Sequence, residues 1–427
     1  MKAAKRGFLL ASALGLAGPA SAQEVNDAPD SGGIPQPLGA LHLTTTVRVD
    51  YFQSSKALDD NHDLLGATLQ IKALPHINDR LDGKVEVRAT DADVRNRDGD
   101  AQQSRLLEAY LTMHFPKADL RLGNQIVAWG RADGINPTDN LTPHDYVVSL
   151  PLEEDQRFGV WAGKLDVYLT QDLTFTLFAT PFFVPSKFAL PPGSPVVETR
   201  PARTGSNTEL ALKLNKSGGD VDWSVSYFRG NRALPSVAAT VPSLDVQYDR
   251  IEVIGADVAH NIGRFGFRTE FSYTRPTDSQ NVDPNINSAR LFWVGGIDRT
   301  LLENLNLNLQ WFWRWMPHYQ APDVSTDPAA HAVATLNSII SGQEARSSHG
   351  VTFRVSNSWL NQTLMAEIFA VMNFTRADHY LRPLLTYTFN DHFKGMLGGE
   401  LYRGPKDTQY GLFKSTRGVF AELRYGF

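Results

Sequence analysis

The chain contains no cysteine, which excludes disulfides, zinc-thiolate sites, thiol nucleophiles and a lipid-anchored N-terminal cysteine. Long apolar runs are missing too. Beyond residue 22 no stretch approaches the roughly 20 apolar residues that a membrane-crossing helix needs, and the mean hydropathy is negative. Nor is there an excess of one charge: 41 Lys and Arg stand against 46 Asp and Glu, a net charge of −5. With no long run of either sign, the sequence offers nothing for a nucleic-acid backbone to bind. The 427 residues also show no break in composition, although a soluble chain of that length normally divides into two or more domains.

What is present begins with an export signal. Lys2, Lys5 and Arg6 precede the apolar run GFLLASALGLA, and small Ala20 and Ala22 stand where a signal peptidase cuts, so residues 1–22 read as a cleaved signal peptide. Residues 23–37, rich in Pro and Gly, read as a periplasmic linker, either spacer or docking tail. An exported chain without apolar helices is either soluble or a β-barrel.

Residues 38–427 are dominated by alternation. In LNLNLQWFWRW, Leu305, Leu307, Leu309, Trp311, Trp313 and Trp315 share one face, while Asn306, Asn308, Gln310 and Arg314 share the other. As a strand this segment has one apolar and one wet side; as a helix it has no coherent face. Phe265, Phe267, Phe271 and Tyr273 likewise oppose Arg268 and Glu270, and Val419, Ala421, Leu423, Tyr425 and Phe427 oppose Glu422 and Arg424.

Segments of this kind number about 18, within a range of 16 to 18, and their connections follow an order. Tight turns such as PHIN at 75, PKAD at 116, NIGR at 261 and WLNQ at 359 alternate with longer excursions near 54–62, 93–103, 130–155, 185–204, 231–246, 276–287, 318–344 and 404–411, with one short member at 375–378. Short periplasmic turns and long external loops define an all-β transmembrane antiparallel barrel of the Gram-negative outer membrane. Aromatics near strand ends suit a membrane-interface girdle. The terminal Phe427 resembles the signal that barrel-assembly machinery reads. The expected partners are therefore that machinery, outer-membrane lipid and lipopolysaccharide, and a periplasmic export partner; the barrel is expected as a monomer or a homotrimer, without cofactors or nucleic acid. A secreted sandwich or propeller is the competing architecture.

The third long loop, 130–155, carries two prolines and several Asn and Asp but almost no large apolar group in GINPTDNLTPHDY. This composition suits an inward-folded constriction. Arg121, Arg131 and Asp133 flank it, and with Asn136 and Asp139 they form the expected constriction set. Calcium ligation by Asp133, Asn136, Asp139, Asn140 and Asp145 competes, although their spacing is not that of an EF-hand loop. In the loop 318–344, Asp327 suits a helix cap, Pro328 a first helical position and Gly342 a stop, with Val333, Leu336, Ile339 and Ile340 on one face. Such a helix either obstructs the pore or rests on its rim. The expected lumen set is Arg268, Glu270, Arg290, Arg314, Arg354 and Arg382, in a wall of mixed charge that lacks the one-sign ladder of a dedicated polyanion channel.

The stretch RLGNQIVAWGRADGINPTDN, through Arg121, Gly123, Gln125, Val127, Trp129, Gly130, Ile135, Asn136, Pro137 and Asp139, resembles a segment of an uncharacterised proteobacterial outer-membrane family, a domain of unknown function. The broader architecture looks like that of alginate-export porins, without their strongly basic wall. The resemblance implies an outer-membrane channel and brings no catalytic residues with it. The expected function is porin-like diffusion or export of small to mid-sized solutes. A component conducting only with an export partner, and an outer-membrane enzyme, stand as alternatives.

Overall fold

Alternation becomes architecture in the first strand, where exposure runs 39% at Val47, 1% at Arg48, 46% at Val49 and 4% at Asp50. Apolar side chains face out and polar ones face in. The computed structural model describes residues 41–58, 61–91, 102–146, 153–187, 196–240, 243–277, 279–280, 286–321 and 327–427; the signal peptide, the linker and residues 38–40 lie outside these.

The barrel strands are β1 (Thr44–Leu58), β2 (Asn61–Ala73), β3 (Leu81–Asp91), β4 (Gln102–Phe115), β5 (Ala118–Gln125), β6 (Val160–Tyr168), β7 (Leu173–Thr180), β8 (Glu209–Lys216) and β9 (Val221–Asn231). They continue as β10 (Arg250–Ile262), β11 (Phe265–Pro276), β12 (Arg290–Leu301), β13 (Leu305–Trp315), β14 (Ser347–Trp359), β15 (Leu364–Asn373), β16 (Asp378–Thr388), β17 (Phe393–Arg403) and β18 (Gly418–Gly426). Each pairs antiparallel with the next, and β18 pairs back with β1 from Gly426 opposite Thr46 to Gly418 opposite Ser54, closing an 18-stranded barrel. Closure leaves no unpaired edge, which is what a sheet in lipid requires. Among the described residues no helix is long and apolar enough to cross a membrane.

The expected alternation holds through the later strands. Leu309, Trp311, Phe267, Phe271, Leu423 and Tyr425 lie exposed on the outer face, while Gln310, Phe312, Glu270 and Glu422 are buried inside. The tight turns fall where the sequence places them. Two details differ. The first strand starts at Thr44 rather than near Leu38, and the excursion expected over 54–62 is largely strand, because β1 continues to Leu58 and β2 begins at Asn61 after a register shift. The external loops also build a sheet of their own: Ser236–Thr240 pairs with Ser243–Gln247, which pairs in parallel with Val196–Thr199.

Candidate functional site

The third external loop leaves β5 and at once turns into the barrel. The amide of Ile126 donates to Glu108 on β4 at 2.9 Å. Gly130 then adopts φ +104°, where a Cβ would lie 2.6 Å from the Glu270 carboxylate, so a glycine is needed both for the turn and for the approach. Glu270, in the middle of β11 and fully buried, accepts the amides of Arg131 and Ala132 at 3.1 Å, the amide of Thr138 at 2.7 Å and its hydroxyl at 2.8 Å. One wall carboxylate thus gathers the tip of the loop through charge-assisted hydrogen bonds.

Two more contacts fix the far end. The Arg131 guanidinium pairs with Asp257 on β10 and donates to Asn215 on β8 at 2.7 Å. Asp133 lies 3.4 Å from Arg354 on β14, which also holds Glu367 at 3.0 Å. β5 and β14 stand half-way round the ring from each other, so the loop spans the lumen. Burial pushes the Asp133 carboxyl up from its ordinary value in spite of Arg354.

The return limb is fastened near its origin. Asp139 pairs with Arg157 at 2.6 Å and accepts the Trp129 amide at 3.3 Å; Asp145 pairs with Arg105 on β4 at 2.8 Å. Asp155 receives Arg48 of β1 at 2.7 and 2.8 Å, and Arg48 also holds Glu422 of β18 at 2.9 Å. Burial opposes ionisation of Asp155, yet Arg48 and Arg88 hold its carboxyl below the ordinary value. Burial, with Arg157 nearby, lowers His144 well below its ordinary value, so it is neutral at pH 7.

Arg131, Asp133 and Asp139 are therefore brought together in one loop by wall and loop partners. The Asn136 carbonyl accepts the Asp139 amide at 3.2 Å, closing a turn. Arg121 stands apart on β5, its guanidinium 4.3 Å over the ring of Tyr110. The carboxylates weighed as calcium ligands engage arginines instead, and among the described residues no group of three or more His, Asp and Glu is arranged to hold a metal.

A second layer lies on the first. The helix α1 (Pro328–Ser341) runs between the residues expected to bound it, with Gly342 at φ +63° as its stop. Its Val333, Ile339 and Ile340 are buried in one cluster with Ala132 and Ile135 of the third loop, Val237 of the fifth, and the inward rings of Phe292, Phe312 and Phe369. Asn337 clamps Val237, accepting its amide at 2.7 Å and donating to its carbonyl at 2.5 Å. The ninth loop adds α2 (Gln409–Leu412), whose Tyr410 joins the same cluster.

Of the expected lumen residues, Glu270 and Arg354 hold the third loop. Arg290 donates to the Ser341 carbonyl at 2.8 Å, and Arg314 lies 4.5 Å over Phe292. Arg268 lies 3.5 Å from Asp298, and Arg382 lies 5.9 Å over Phe420. Sequence reasoning missed Asn215, Asp257 and Asp155. Asn215 and Asp257 lie on barrel strands and Asp155 in the loop itself, but their partners lie more than eighty residues away.

A closed 18-stranded barrel with a strand-to-strand loop across its lumen is the architecture of outer-membrane porins. The chain belongs to the family described as "Protein of unknown function (DUF1302)", whose model matches residues 41–378. No curated protein matches the sequence. Among solved structures it is similar to the outer membrane protein OpdK of Pseudomonas aeruginosa, at 8% identity over 90% of this chain and 98% of that one, with a TM-score of 0.56. OccAB3 of Acinetobacter baumannii matches at 10% identity over 90% and 98%, TM-score 0.53. OccD3 (OpdP) of P. aeruginosa matches at 12% identity over 90% of each chain, TM-score 0.52.

Proposed function

We propose that the protein is a porin-like channel of the outer membrane, through which small to mid-sized solutes diffuse past a constriction made by residues 130–155. The supporting observation is the loop pinned across the lumen, by Glu270, Asp257 and Arg354 on one side and by Arg48 on the other. Solutes then meet Arg131, Asp133, Asn136 and Asp139 at the narrowing and Arg121, Arg268, Glu270, Arg290, Arg314, Arg354 and Arg382 along the wall. Because Arg131, Asp133 and Asp139 are each paired with an opposite charge, selection at the narrowing rests on width more than on charge sign. The reading involves no covalent chemistry.

A second reading has its own support. The burial of α1 and Tyr410 against the third loop stacks two obstructions, as expected of a channel that conducts only when a periplasmic export partner engages it. Single-channel conductance of the protein in planar bilayers separates the two. Steady conductance that rises when residues 131–147 are shortened supports the open porin. A silent protein that opens only on removal of residues 318–344 supports the gated one. Silence in every variant would sink both.

A further inference from the structure

The outer face of the barrel changes character at the external end of β9, β10 and β11. Arg229, Glu252 and Arg275 stand opposite one another in one register row, on three neighbouring strands. The row points outward: Arg229 and Arg275 are exposed, whereas their chain neighbours Phe228 and Thr274 are buried on the inner face. Arg250, at the start of β10, lies just above the row and donates to the Thr208 carbonyl at 3.3 Å. It and Arg229 both lie within electrostatic reach of the Tyr227 hydroxyl. Three arginines thus share this patch with one carboxylate.

Pairing within the patch is loose. Arg229 Nε lies 3.9 Å from Glu252 Oε1, longer than a hydrogen bond, and the same oxygen accepts the Tyr227 hydroxyl at 3.3 Å. An exposed ion pair of this kind contributes little to stability, so stability does not account for collecting the charges. The rows beneath fix the depth of the patch. Tyr227, Ile254, Tyr273 and Leu291 follow in register, and below them Val225, Ala256, Phe271 and Trp293. Tyrosine and tryptophan mark the membrane interface, and an arginine on the lipid face is tolerated there but costly deeper in the bilayer. The arginine row therefore stands at headgroup level, directly above the acyl region.

We infer that Arg229, Arg250 and Arg275 form a binding site for the phosphorylated sugar headgroup of lipopolysaccharide, the glycolipid of the outer leaflet, whose acyl chains lie along the rows of Tyr227 and Phe271. Guanidiniums meet phosphoryl oxygens in bidentate, charge-assisted pairs. Arg229 and Arg275 are two strand spacings apart, about 10 Å, so they reach two phosphoryl groups of one headgroup or hold one from both sides. The net positive charge of the patch complements that headgroup, and the apolar rows below complement its chains. The site lies outside the lumen, so it stands whether the barrel conducts freely or only with a partner.

The test is native mass spectrometry of the purified full-length protein in detergent micelles, titrated with diphosphoryl lipid A, with phosphatidylglycerol or with inorganic phosphate. A saturable lipid A adduct is the expected result. It should be held at least tenfold more weakly when Arg229→Gln and Arg275→Gln are combined, and with unchanged affinity in Arg403→Gln, an exposed arginine elsewhere on the outer face. Lipid A affinity unchanged in the double variant, an equal loss in Arg403→Gln, or equal affinity for phosphatidylglycerol overturns the site. Displacement of lipid A by inorganic phosphate does so too, since the patch would then hold a free anion. A protein dimer in place of the adduct, lost in the double variant, would overturn it in favour of an interface between copies. Should the double variant fail to fold, Arg229→Gln and Arg275→Gln singly decide: severalfold weaker binding in both upholds the site, and unchanged affinity in either overturns it.

Discussion

At the scale of single residues, the inward course of the third loop depends on a carboxylate and a glycine that meet. Glu270 answers four donors of the third loop, and Gly130 supplies the backbone turn that brings them to it. Truncation to Glu270→Ala removes every one of those acceptors at once and strands buried amides, which costs about 2–4 kcal/mol. Gly130→Ala forces a Cβ toward the same carboxylate at a φ that side chains disfavour, a strain of about 1–3 kcal/mol. Both changes should free the loop from the wall, raising conductance and speeding protease cleavage within residues 131–146, while the barrel stays folded. Conductance and cleavage equal to wild type in Glu270→Ala would mean that the ion pairs of Arg131, Asp133, Asp145 and Asp155 with the wall hold the loop without it. That a charged, proline-stiffened loop would fold inward was legible in its composition. Which wall residues receive it was not, because Arg131 and Asp257, or Asp133 and Arg354, are joined only by the closure of the ring.

At the scale of elements, α1 was legible almost to the residue, since Pro328 and Gly342 act locally on the backbone at its two ends. Its destination was not, because an apolar face says only that something covers it. The ninth loop shows how such packing can depend on pH. Glu344 lies outside the strands and accepts the Gln409 amide at 2.9 Å and the Asn373 side chain at 3.4 Å. Burial, reinforced by neighbouring Asp378 and opposed by Arg376 and Arg314, pushes its carboxyl up from 4.5 to about 7. The docked loop therefore favours the protonated acid, and the released loop ionises it at the lower value. Docking is strongest below the ordinary value, weakens as pH rises through the interval, and has lost its full increment, on the order of 3 kcal/mol, above about 7. Protease sensitivity of residues 404–417 should accordingly rise between pH 4.5 and 7.5, and Glu344→Gln should flatten the profile at the protected level. A flat wild-type profile would refute the assignment.

At the scale of the whole molecule, the barrel was legible because two independent periodicities agree: side chains alternate at every second residue, and tight turns alternate with longer connections. The small sheet of Val196–Thr199, Ser236–Thr240 and Ser243–Gln247 escaped notice although each piece alternates or is β-branched, because strands of four or five residues inside long loops carry too little period to register. The same alternation fixes which face meets lipid, and that consequence can be measured. Leu309 lies near the middle of β13, 46% exposed on the outer surface, beside Ile297 and Phe353 in register. In water an arginine there would be harmless. In a bilayer its charge sits at the apolar midplane, where the cost for a barrel strand is about 2–4 kcal/mol. Leu309→Arg should therefore lower the urea unfolding midpoint in phospholipid vesicles, whereas arginine at Leu302, 87% exposed in the tight turn between β12 and β13, should leave it nearly unchanged. The difference between the two positions isolates depth in the membrane from charge itself, and equal midpoints for both variants would mean that the outer face of β13 is not embedded in lipid.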